Sequence, residues 1–301
     1  TFVTGEEYGY QSSLVRSNTP MIFDGSNDYI DCVTTNMFQN ATNMSISAWV
    51  FPTHPASSGS NYYSIINQWD SPSAKSYGVW LHAPNNSTDA HIHFNDNTSS
   101  FDTPSAIVPS GKWSHIVLTR DGTSIKMYFN GSLNHSATSG ASANANFSTK
   151  LSIGAQNASN PAAFFIGVLN EISLHDITLD ADAVSALYNS GVPLLPTSDS
   201  GNYDNSSSLV GYWRNDGNTT WTDRSTNSNN GTAFGSPVEK LIPEGNTEGR
   251  DNQGYYLSDT TLISNGIRLH GSEYIDIHDS EVLSFGDSVD DRPFSLEAWV
   301  K

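Results

Sequence analysis

Cysteine and long apolar segments are both scarce in this sequence. The 301 residues include a single cysteine, Cys32, so no disulfide forms within the chain and no framework of cross-links holds the fold. No run of about 18 apolar residues occurs, which argues against a membrane-spanning helix. We therefore expect neither a disulfide scaffold nor a helical membrane protein.

Positive charge is scarce as well. Lys and Arg total 13 against 31 Asp and Glu, which gives a formal net charge of −18. A negative field of this size repels phosphate backbones, so we do not expect nucleic acid as a partner. The same charge favours solubility in salt and attracts cations such as Ca²⁺. It suits an extracellular setting.

Two segments of the sequence each occur twice, with some substitutions. MIFDGSNDYID at residues 21–31 has a shorter counterpart, IRLHGSEYID, at residues 267–276. MSISAWVF at residues 44–51 has the counterpart FSLEAWVK at residues 294–301. Because an internal repeat indicates copies of one structural unit, the sequence predicts one unit and the opening of a second.

The repeat also predicts the domain organisation. We expect a first unit over residues 1–192, a linker rich in Pro, Ser, Asn and Asp over 193–208, and the opening part of a second, truncated unit over 209–301. Trp49 and Trp299 fall at matching places in the two units, which favours an architectural role for both. The start of the chain shows neither Met nor a signal-peptide pattern, so we expect a segment of a longer polypeptide. Residues 209–301 are then expected to pack against further chain, a neighbouring subunit or the first unit.

Short strands joined by tight turns dominate the first unit. Residues 113–120 are rich in β-branched and aromatic side chains, and Asp121-Gly122 after them is typical of a two-residue type I′ turn. Asn130-Gly131 indicates a second tight turn. The strand between these turns alternates, with an expected core face of Ile125, Met127 and Phe129 and an outward face that includes Lys126 and Tyr128.

Further strands are expected throughout the unit. They lie at residues 44–51, 63–68, 77–82, 91–94, 151–155 and 164–175. One short helix is expected after Asp180 as its N-cap, with Val184, Leu187 and Tyr188 on one face and Gly191 as its C-terminal cap. Many short strands at such spacing predict an all-β protein, an antiparallel two-sheet jelly-roll β-sandwich.

Several sequence segments of the first unit together resemble one family. FDGSNDYI, MSISAWV, GKWSHIVLTRDGTSIKMYFNG, LSIGA and GVLNEISLHDITLDADAVSALYNSG follow one another over residues 21–191. In this order they resemble the laminin-G-like, concanavalin A-like lectin/glucanase superfamily, which occurs as tandem copies in marine bacteriophage and bacterial surface proteins. LVGYWRNDG at residues 209–217 resembles the opening strand of that family, and no such strand precedes residue 21. The resemblance implies a curved two-sheet sandwich and no particular activity.

Paired carboxylates are the candidate residues for catalysis. Glycosidases use two carboxyl groups facing one another across the scissile bond. The best candidate pair in the sequence is Glu171 and Asp176, whose odd spacing directs them to opposite faces of a regular strand. We therefore expect no catalytic residues and no enzyme.

Metal binding is a separate expectation. Asp24, Asp28 and Asp31 offer hard oxygen ligands of the kind that Ca²⁺ takes. The resemblance implies a structural Ca²⁺ between this loop and the last long strand, where Asn170 and Glu171 lie, so the expected ligands are Asp24, Asp28, Asn170 and Glu171. The alternative is that Asp24 only forms a turn and that the other carboxylates are solvated.

Two histidines are candidate zinc ligands. His91 and His93 share a face because they lie two residues apart on a strand. Without an obvious third ligand, a solvated face is the favoured interpretation for this pair.

Aromatic side chains are the candidates for ligand binding. Trp69, Tyr62, Trp80 and Tyr77 lie on or beside predicted strands, and exposed aromatic faces stack on sugar rings. Packing in the core or on a sheet face is the commoner role of such residues, and both interpretations stay open at this stage.

Three classes of function follow from the sequence. The first is a non-enzymatic structural or adhesive module on the virion surface of a marine bacteriophage, with other subunits, neighbouring domains or a host-surface glycan as partners. The second is a carbohydrate-binding domain of a secreted bacterial protein, and the third is a glycosidase. The lack of a carboxylate pair counts against the third.

Overall fold

The structure of the protein is a computed structural model. It describes residues 21–32, 37–38, 40–71, 74–145, 150–156, 161–216, 218–235 and 238–239. The second copies of the repeat, at residues 267–276 and 294–301 with Trp299, lie outside the described residues. The tandem repeat therefore stays a prediction.

Strands form most of the described chain, as the sequence predicts. They are β1 (Met21–Asp24), β2 (Tyr29–Cys32), β3 (Asn43–Pro52), β4 (Asn61–Ser71), β5 (Ala74–Ala83), β6 (Asp89–Asn95), β7 (Ser100–Asp102), β8 (Val108–Pro109), β9 (Ser114–Asp121), β10 (Ser124–Phe129), β11 (Ser132–Thr138), β12 (Leu151–Ile153), β13 (Ile166–His175), β14 (Leu209–Trp213), β15 (Thr220–Trp221), β16 (Gly231–Phe234) and β17 (Val238–Glu239). The α-helix is α1 (Ala181–Tyr188). Within the described residues no helix has the length and hydropathy needed to span a membrane.

The strands form two antiparallel sheets. In sheet A the order is β11-β10-β9-β3-β13-β1-β17, and β14 also pairs with β13. In sheet B the order is β15-β16-β2-β12-β4-β5-β6-β7, and β8 also pairs with β6. The two inner faces share one apolar core, to which sheet A contributes Ile46 and Leu118 and sheet B contributes Ile66 and Phe94. The predicted all-β, two-sheet jelly-roll sandwich is confirmed.

Strand β10 follows the predicted alternation. Ile125 and Met127 are fully buried in the core, Phe129 is half-buried against it, and Lys126 is exposed. Tyr128 points away from the core, as expected, but it is buried too. Its ring packs with Val184 and the rest of the apolar face of α1. The outward face of sheet A is therefore covered by the helix at this point.

The two turns flanking β10 differ from one another. Asp121 and Ser124 are paired, so the central residues of the first turn are Gly122 and Thr123, one position later than predicted. Of these two only Gly122 has a positive φ, 56°, so the predicted type I′ turn is wrong, and glycine at the first central position is typical of type II′. At the second turn both central residues, Asn130 and Gly131, have positive φ, as type I′ requires.

Helix α1 begins where the sequence predicts. The Asp180 side chain accepts a hydrogen bond from Ala183 N at 2.8 Å, as an N-cap does. The C-cap is Asn189, with a left-handed φ of 46°, and not Gly191, which lies two residues further on. Asparagine tolerates this conformation, and its backbone N–H satisfies the carbonyl of Ser185.

Residues 209–235 belong to the same two sheets as the first unit. Strand β14 pairs with β13 in sheet A, and β16 pairs with β2 in sheet B. The structure thus differs from the boundary expected at residues 193–208. The physical reason is burial: the indoles of Trp213 and Trp221 are part of the sandwich core.

Candidate functional site

The outer face of sheet B carries a group of polar and aromatic side chains at the β4–β7 end. Alternation along β5 turns Val79 and Leu81 into the core and leaves Trp80 and His82 on the outer face. Cross-strand pairing then places other residues beside them, namely Tyr62 and His91 next to His82, His93 next to Trp80, and Asp102 next to His93. We call Tyr62, His82, His91, His93 and Asp102 the histidine patch.

Asp102 holds two imidazoles of the histidine patch. Its Oδ1 lies 2.7 Å from His93 Nδ1, and its Oδ2 lies 3.0 Å from His82 Nδ1. The third imidazole is held separately, since His91 Nδ1 lies 2.6 Å from the carbonyl oxygen of Thr103. One carboxylate therefore fixes the orientation of two histidines from different strands.

Tyr62 covers the imidazole of His82. The two rings stack with centroids 4.4 Å apart and planes 7° apart. The same phenol ring meets His93 edge-on, at 4.9 Å and 72°. Its other side faces solvent, since 42% of Tyr62 is exposed. The histidine patch thus presents an exposed aromatic ring on a rigid sheet.

Burial and hydrogen bonding shift the ionisation of the patch. Burial lowers the pKa of His93, although its contacts with Asp102 act in the opposite direction. Burial raises the pKa of Asp102, but the hydrogen bonds and charges of His93 and His82 outweigh it, so that this pKa lies below its usual value. Burial, then the charge of Asp102, raises the pKa of Tyr62. Near neutral pH the patch therefore combines an ionised carboxylate with a neutral His93.

The four aromatic residues expected to bind a ligand have different surroundings. Tyr62 is exposed, whereas Trp69 and Trp80 are only 8% and 3% exposed. Tyr77 is fully buried in the core, where its ring meets that of Phe38, because it alternates inward on β5. Tyr62 is thus the one of the four whose ring offers a face to solvent, and Tyr77 lies on the wrong side of the sheet for a surface site.

The two tryptophans pack on one another beneath the outer surface. Their rings meet edge to face at 5.3 Å. Trp80 lies against the backbone of Gly78, where a Cβ would come within 2.1 Å of the ring. Lys75 Nζ lies over the Trp69 ring, 4.5 Å from its centroid. Both indoles therefore pack beneath the outer surface of sheet B, and neither has a ring surface exposed enough to stack on a ligand.

The expected calcium ligands are not brought together. Asp24 is opposite Ile166 in the register of β1 and β13, four positions from Asn170 along β13. Four residues of strand span about 13 Å, which is too far for ligands of one ion. Asn170 Oδ1 instead accepts a hydrogen bond from Asn215 N at 2.8 Å. Whether the protein binds Ca²⁺ stays a prediction, confined to the loop of Asp24 and Asp28.

That loop is internally hydrogen-bonded. Asp28 Oδ2 accepts from Asp24 N at 2.9 Å, and Asp24 Oδ1 accepts from Ser26 N and Asn27 N at 2.7 and 3.2 Å. Burial raises the pKa of Asp28 to about 6. Asp31 forms an ion pair outside this loop, in which its Oδ2 lies 2.7 Å from Lys150 Nζ.

Glu171, the nearest candidate for catalysis, is committed to an ion pair. Its Oε1 lies 3.0 Å from Arg214 Nε, and its Oε2 accepts a hydrogen bond from the Tyr212 hydroxyl. Side chains do not alternate regularly here, because β13 has a bulge between Asn170 and Ser173 and Glu171 has a φ of 47°. Glu171 and Asp176 do not form a catalytic pair, because Glu171 is buried whereas Asp176 is exposed beyond the end of the strand.

Two members of the histidine patch, His82 and Asp102, are not among the site residues that the sequence predicts. His82 and Asp102 lie beside His93 and complete a three-residue group with it, whereas His91 is hydrogen-bonded to the carbonyl oxygen of Thr103 and is not part of that group. His82 and Asp102 are twenty residues apart in the chain and meet only because β5, β6 and β7 pair in sequence order. The sequence carries one sign of this arrangement. Trp80 and His82 lie two residues apart on β5, so they share one face of the sheet, and that face also carries His91 and His93 of β6.

Comparison with known proteins gives one family. Residues 24–185 match the concanavalin A-like lectin/glucanases superfamily. No curated protein matches the chain.

Two solved structures share the fold at low identity. One is a protein of Bacteroides ovatus ATCC 8483 assigned as carbohydrate-binding, with 15% identity and a TM-score of 0.52 over 72% of this chain. The other is the enzymatically active domain of tailspike protein 2 of bacteriophage CBA120, with 15% identity and a TM-score of 0.50 over 70% of this chain. The chain spans 59% of the first protein and 31% of the second.

The family match extends over more than half of the chain, and the two-sheet antiparallel sandwich agrees with it. The chain belongs to the concanavalin A-like lectin/glucanases superfamily.

Proposed function

We propose that the protein is a non-enzymatic carbohydrate-recognition module that binds glycans through the histidine patch. The observation that carries this proposal is the exposed ring of Tyr62, which is stacked on His82 at 4.4 Å and stands beside the carboxylate of Asp102. A lectin-like fold supports it, since this fold hosts many carbohydrate-binding domains.

The patch offers both kinds of contact that a sugar makes. A pyranose ring has an apolar C–H face that stacks on an aromatic ring, and Tyr62 supplies such a ring at little entropic cost. Sugar hydroxyls donate hydrogen bonds to a carboxylate, and those to an ionised acceptor such as Asp102 are the stronger ones. Because His82 and Asp102 are already hydrogen-bonded to one another, on two strands that both pair with β6, little ordering is needed when a ligand binds.

The proposed role is binding and not hydrolysis. Glycosidase chemistry uses two carboxyl groups about 5–10 Å apart. The histidine patch contains one carboxylate, that of Asp102, and Glu171 is bound to Arg214 and Tyr212. Turnover of a glucan that disappears in Glu171→Gln would overturn this part of the proposal.

We place the module on an external surface. A virion surface of a bacteriophage, with other subunits of the particle as neighbours, is the first candidate, and a secreted bacterial carbohydrate-binding protein is the alternative. The net charge of −18 and the single cysteine suit either setting. Antibodies against residues 21–191 that label purified particles would support the first candidate, and labelling of culture supernatant without particles would support the second.

A glycan array probed with the purified protein tests the binding proposal. We expect a defined set of glycans to bind, and Tyr62→Ala to weaken their binding about tenfold or more, the loss typical of an anchor residue. Leu133→Ala is the matched control, because Leu133 is a 52% exposed apolar residue on sheet A, and it should bind as the wild type does. An array without bound glycans, or equal binding by Tyr62→Ala, contradicts the proposal.

A further inference from the structure

We propose that His82, His93 and Asp102 form a binding site for a divalent transition-metal ion, with Zn²⁺ the best match. One ligand atom of each residue lies within 4.8 Å of the others. Among the described residues this is the group of histidine and carboxylate side chains close enough to share an ion. The inference does not rest on carbohydrate binding.

The donor set selects the class of metal. Two imidazole nitrogens and one carboxylate oxygen suit Zn²⁺ and its neighbours, whereas Ca²⁺ and Mg²⁺ prefer an all-oxygen set. Three protein ligands leave one position of a tetrahedral ion open to water, which is the arrangement of reactive rather than purely structural zinc sites. We therefore expect about one ion per chain with an exchangeable ligand.

The three ligands converge on one point because of strand pairing. His82 is on β5, His93 on β6 and Asp102 on β7, and these strands are adjacent in sheet B. The carboxylate already lies 2.7 Å from His93 Nδ1 and 3.0 Å from His82 Nδ1. An ion bound between them requires these two separations to widen by several tenths of an ångström, because Zn–N and Zn–O distances near 2.1 Å span a tetrahedral edge of about 3.4 Å. The two imidazole nitrogens lie within 4.8 Å of one another.

Surrounding side chains restrict the two imidazoles. Tyr62 stacks on His82, and Trp80 meets His93 edge-on at 5.6 Å. Ser100 Oγ lies 3.3 Å from His93 Nε2 and accepts a hydrogen bond from its N–H when Nδ1 binds the metal. A partner of this kind fixes the tautomer and orientation of a metal-binding histidine.

The site is open to solvent on one side. Asp102 and His82 are partly exposed, so an ion has a path to the cluster and room for a water ligand. The strongly acidic chain raises the local concentration of cations at this surface.

Metal titration of the full chain tests the site. After treatment with a chelator and dialysis, Zn²⁺ is added in a calorimeter without any glycan, and we expect saturable uptake of about one ion. His93→Ala and Asp102→Asn should each weaken uptake about tenfold or more. His135→Ala is the matched control, because His135 is a partly exposed histidine on sheet A, and it should take up Zn²⁺ as the wild type does.

A second measurement needs no variant and covers the case in which a substitution prevents folding. Imidazole ¹⁵N resonances of His82 and His93 should shift on addition of Zn²⁺, while those of His135 stay in place. Co²⁺ should replace Zn²⁺ and give the intense visible absorption of a tetrahedral site. No saturable uptake, uptake that is equal in His93→Ala, or displacement by equimolar Ca²⁺ would overturn the proposal and show that Asp102 and the two histidines are a hydrogen-bonded network only. None of these outcomes bears on glycan binding, which is measured separately.

Discussion

The phenolic hydroxyl of Tyr212 donates a hydrogen bond to Glu171 Oε2, which joins β13 to a strand 41 residues further along the chain. Arg214 Nε holds the other carboxylate oxygen at 3.0 Å. Both charged side chains are almost fully buried. Glu171 therefore anchors residues 209–235 to sheet A, and this role, more than metal binding or catalysis, accounts for a carboxylate at the bulge of β13.

The first prediction concerns this anchor. Glu171→Ala leaves the buried guanidinium of Arg214 without its partner, so the free energy of unfolding should fall by about 3–5 kcal/mol. Urea denaturation measures it. Arg224→Ala, which removes the exposed pair with Asp216, is the control and should cost less than about 1 kcal/mol. Equal losses in the two variants would contradict an anchoring role for Glu171.

The second prediction concerns the two side chains of β10 that point away from the core, one of which is buried and one exposed. Tyr128 and Lys126 share the outward face, but only Tyr128 lies under α1. Tyr128→Ala should therefore lower the free energy of unfolding by about 3–5 kcal/mol, as for other large buried rings. Lys126→Ala should change it by no more than about 0.5 kcal/mol. A small loss for Tyr128→Ala would mean that the helix does not cover this face.

Local patterns predicted the fold well, and long-range pairing explains what they missed. Alternation in β10, the Asn130-Gly131 turn and the Asp180 cap follow from neighbouring residues alone. That Tyr128 is buried depends on where α1 docks, and the sequence of β10 carries no sign of it.

The candidate site was less predictable for the same reason. His82 and Asp102 meet through the pairing of three strands, and no local pattern indicates their distance. The bulge at Glu171 changes the alternation on which the sequence argument relied, because one extra residue reverses every later position of a strand.

The third prediction concerns acid stability. Burial lowers the pKa of His115 to about 3 and that of His175 to about 4, from a usual value near 6.5. The unfolded chain then binds protons that the folded chain does not, so stability is full above pH 6.5 and falls as the pH falls. Each histidine lowers the free energy of unfolding by about 1.4 kcal/mol per pH unit from that point down to its pKa in the folded state, about 3 for His115 and about 4 for His175.

Comparison with His115→Gln isolates one of these groups. The variant should lose about 1.4 kcal/mol per pH unit less than the wild type between about pH 6 and pH 4. Asp28, whose burial raises its pKa to about 6, changes stability in the opposite direction but does so in both proteins. Parallel pH profiles for the two proteins would show that His115 is not buried as a neutral imidazole.

The fourth prediction concerns Ca²⁺ at the loop of Asp24 and Asp28. If this loop binds Ca²⁺, the ion stabilises the folded state by RT ln(1 + [L]/Kd), so a chelator should lower the melting temperature. Asp24→Asn keeps an oxygen acceptor for Ser26 N and Asn27 N while it removes one charge. We expect the chelator to lower the melting temperature of the wild type and not that of the variant. The same melting temperature with and without chelator in the wild type would remove Ca²⁺ from this loop.

The last prediction tests whether residues 209–235 are part of the sandwich. The rings of Phe23 and Trp221 meet edge to face with centroids 5.9 Å apart, although the sequence boundary at 193–208 separates them. Such a pair contributes about 0.5–1.5 kcal/mol beyond the area it buries. A double-mutant cycle with Phe23→Leu and Trp221→Leu should therefore give a coupling free energy of that size.

The cycle distinguishes the two arrangements because residues in separately folded units do not couple. Trp221→Leu should also lower the free energy of unfolding of the whole sandwich, in a single transition, because its indole lies in the common core. Trp49 and Phe51 lie in a different cluster, so a cycle between Phe51→Leu and Trp221→Leu is the control and should show coupling near zero. A zero value for the Phe23 cycle, with a second transition at its own denaturant concentration, would restore the boundary at 193–208 and assign residues 209–235 to a separate unit.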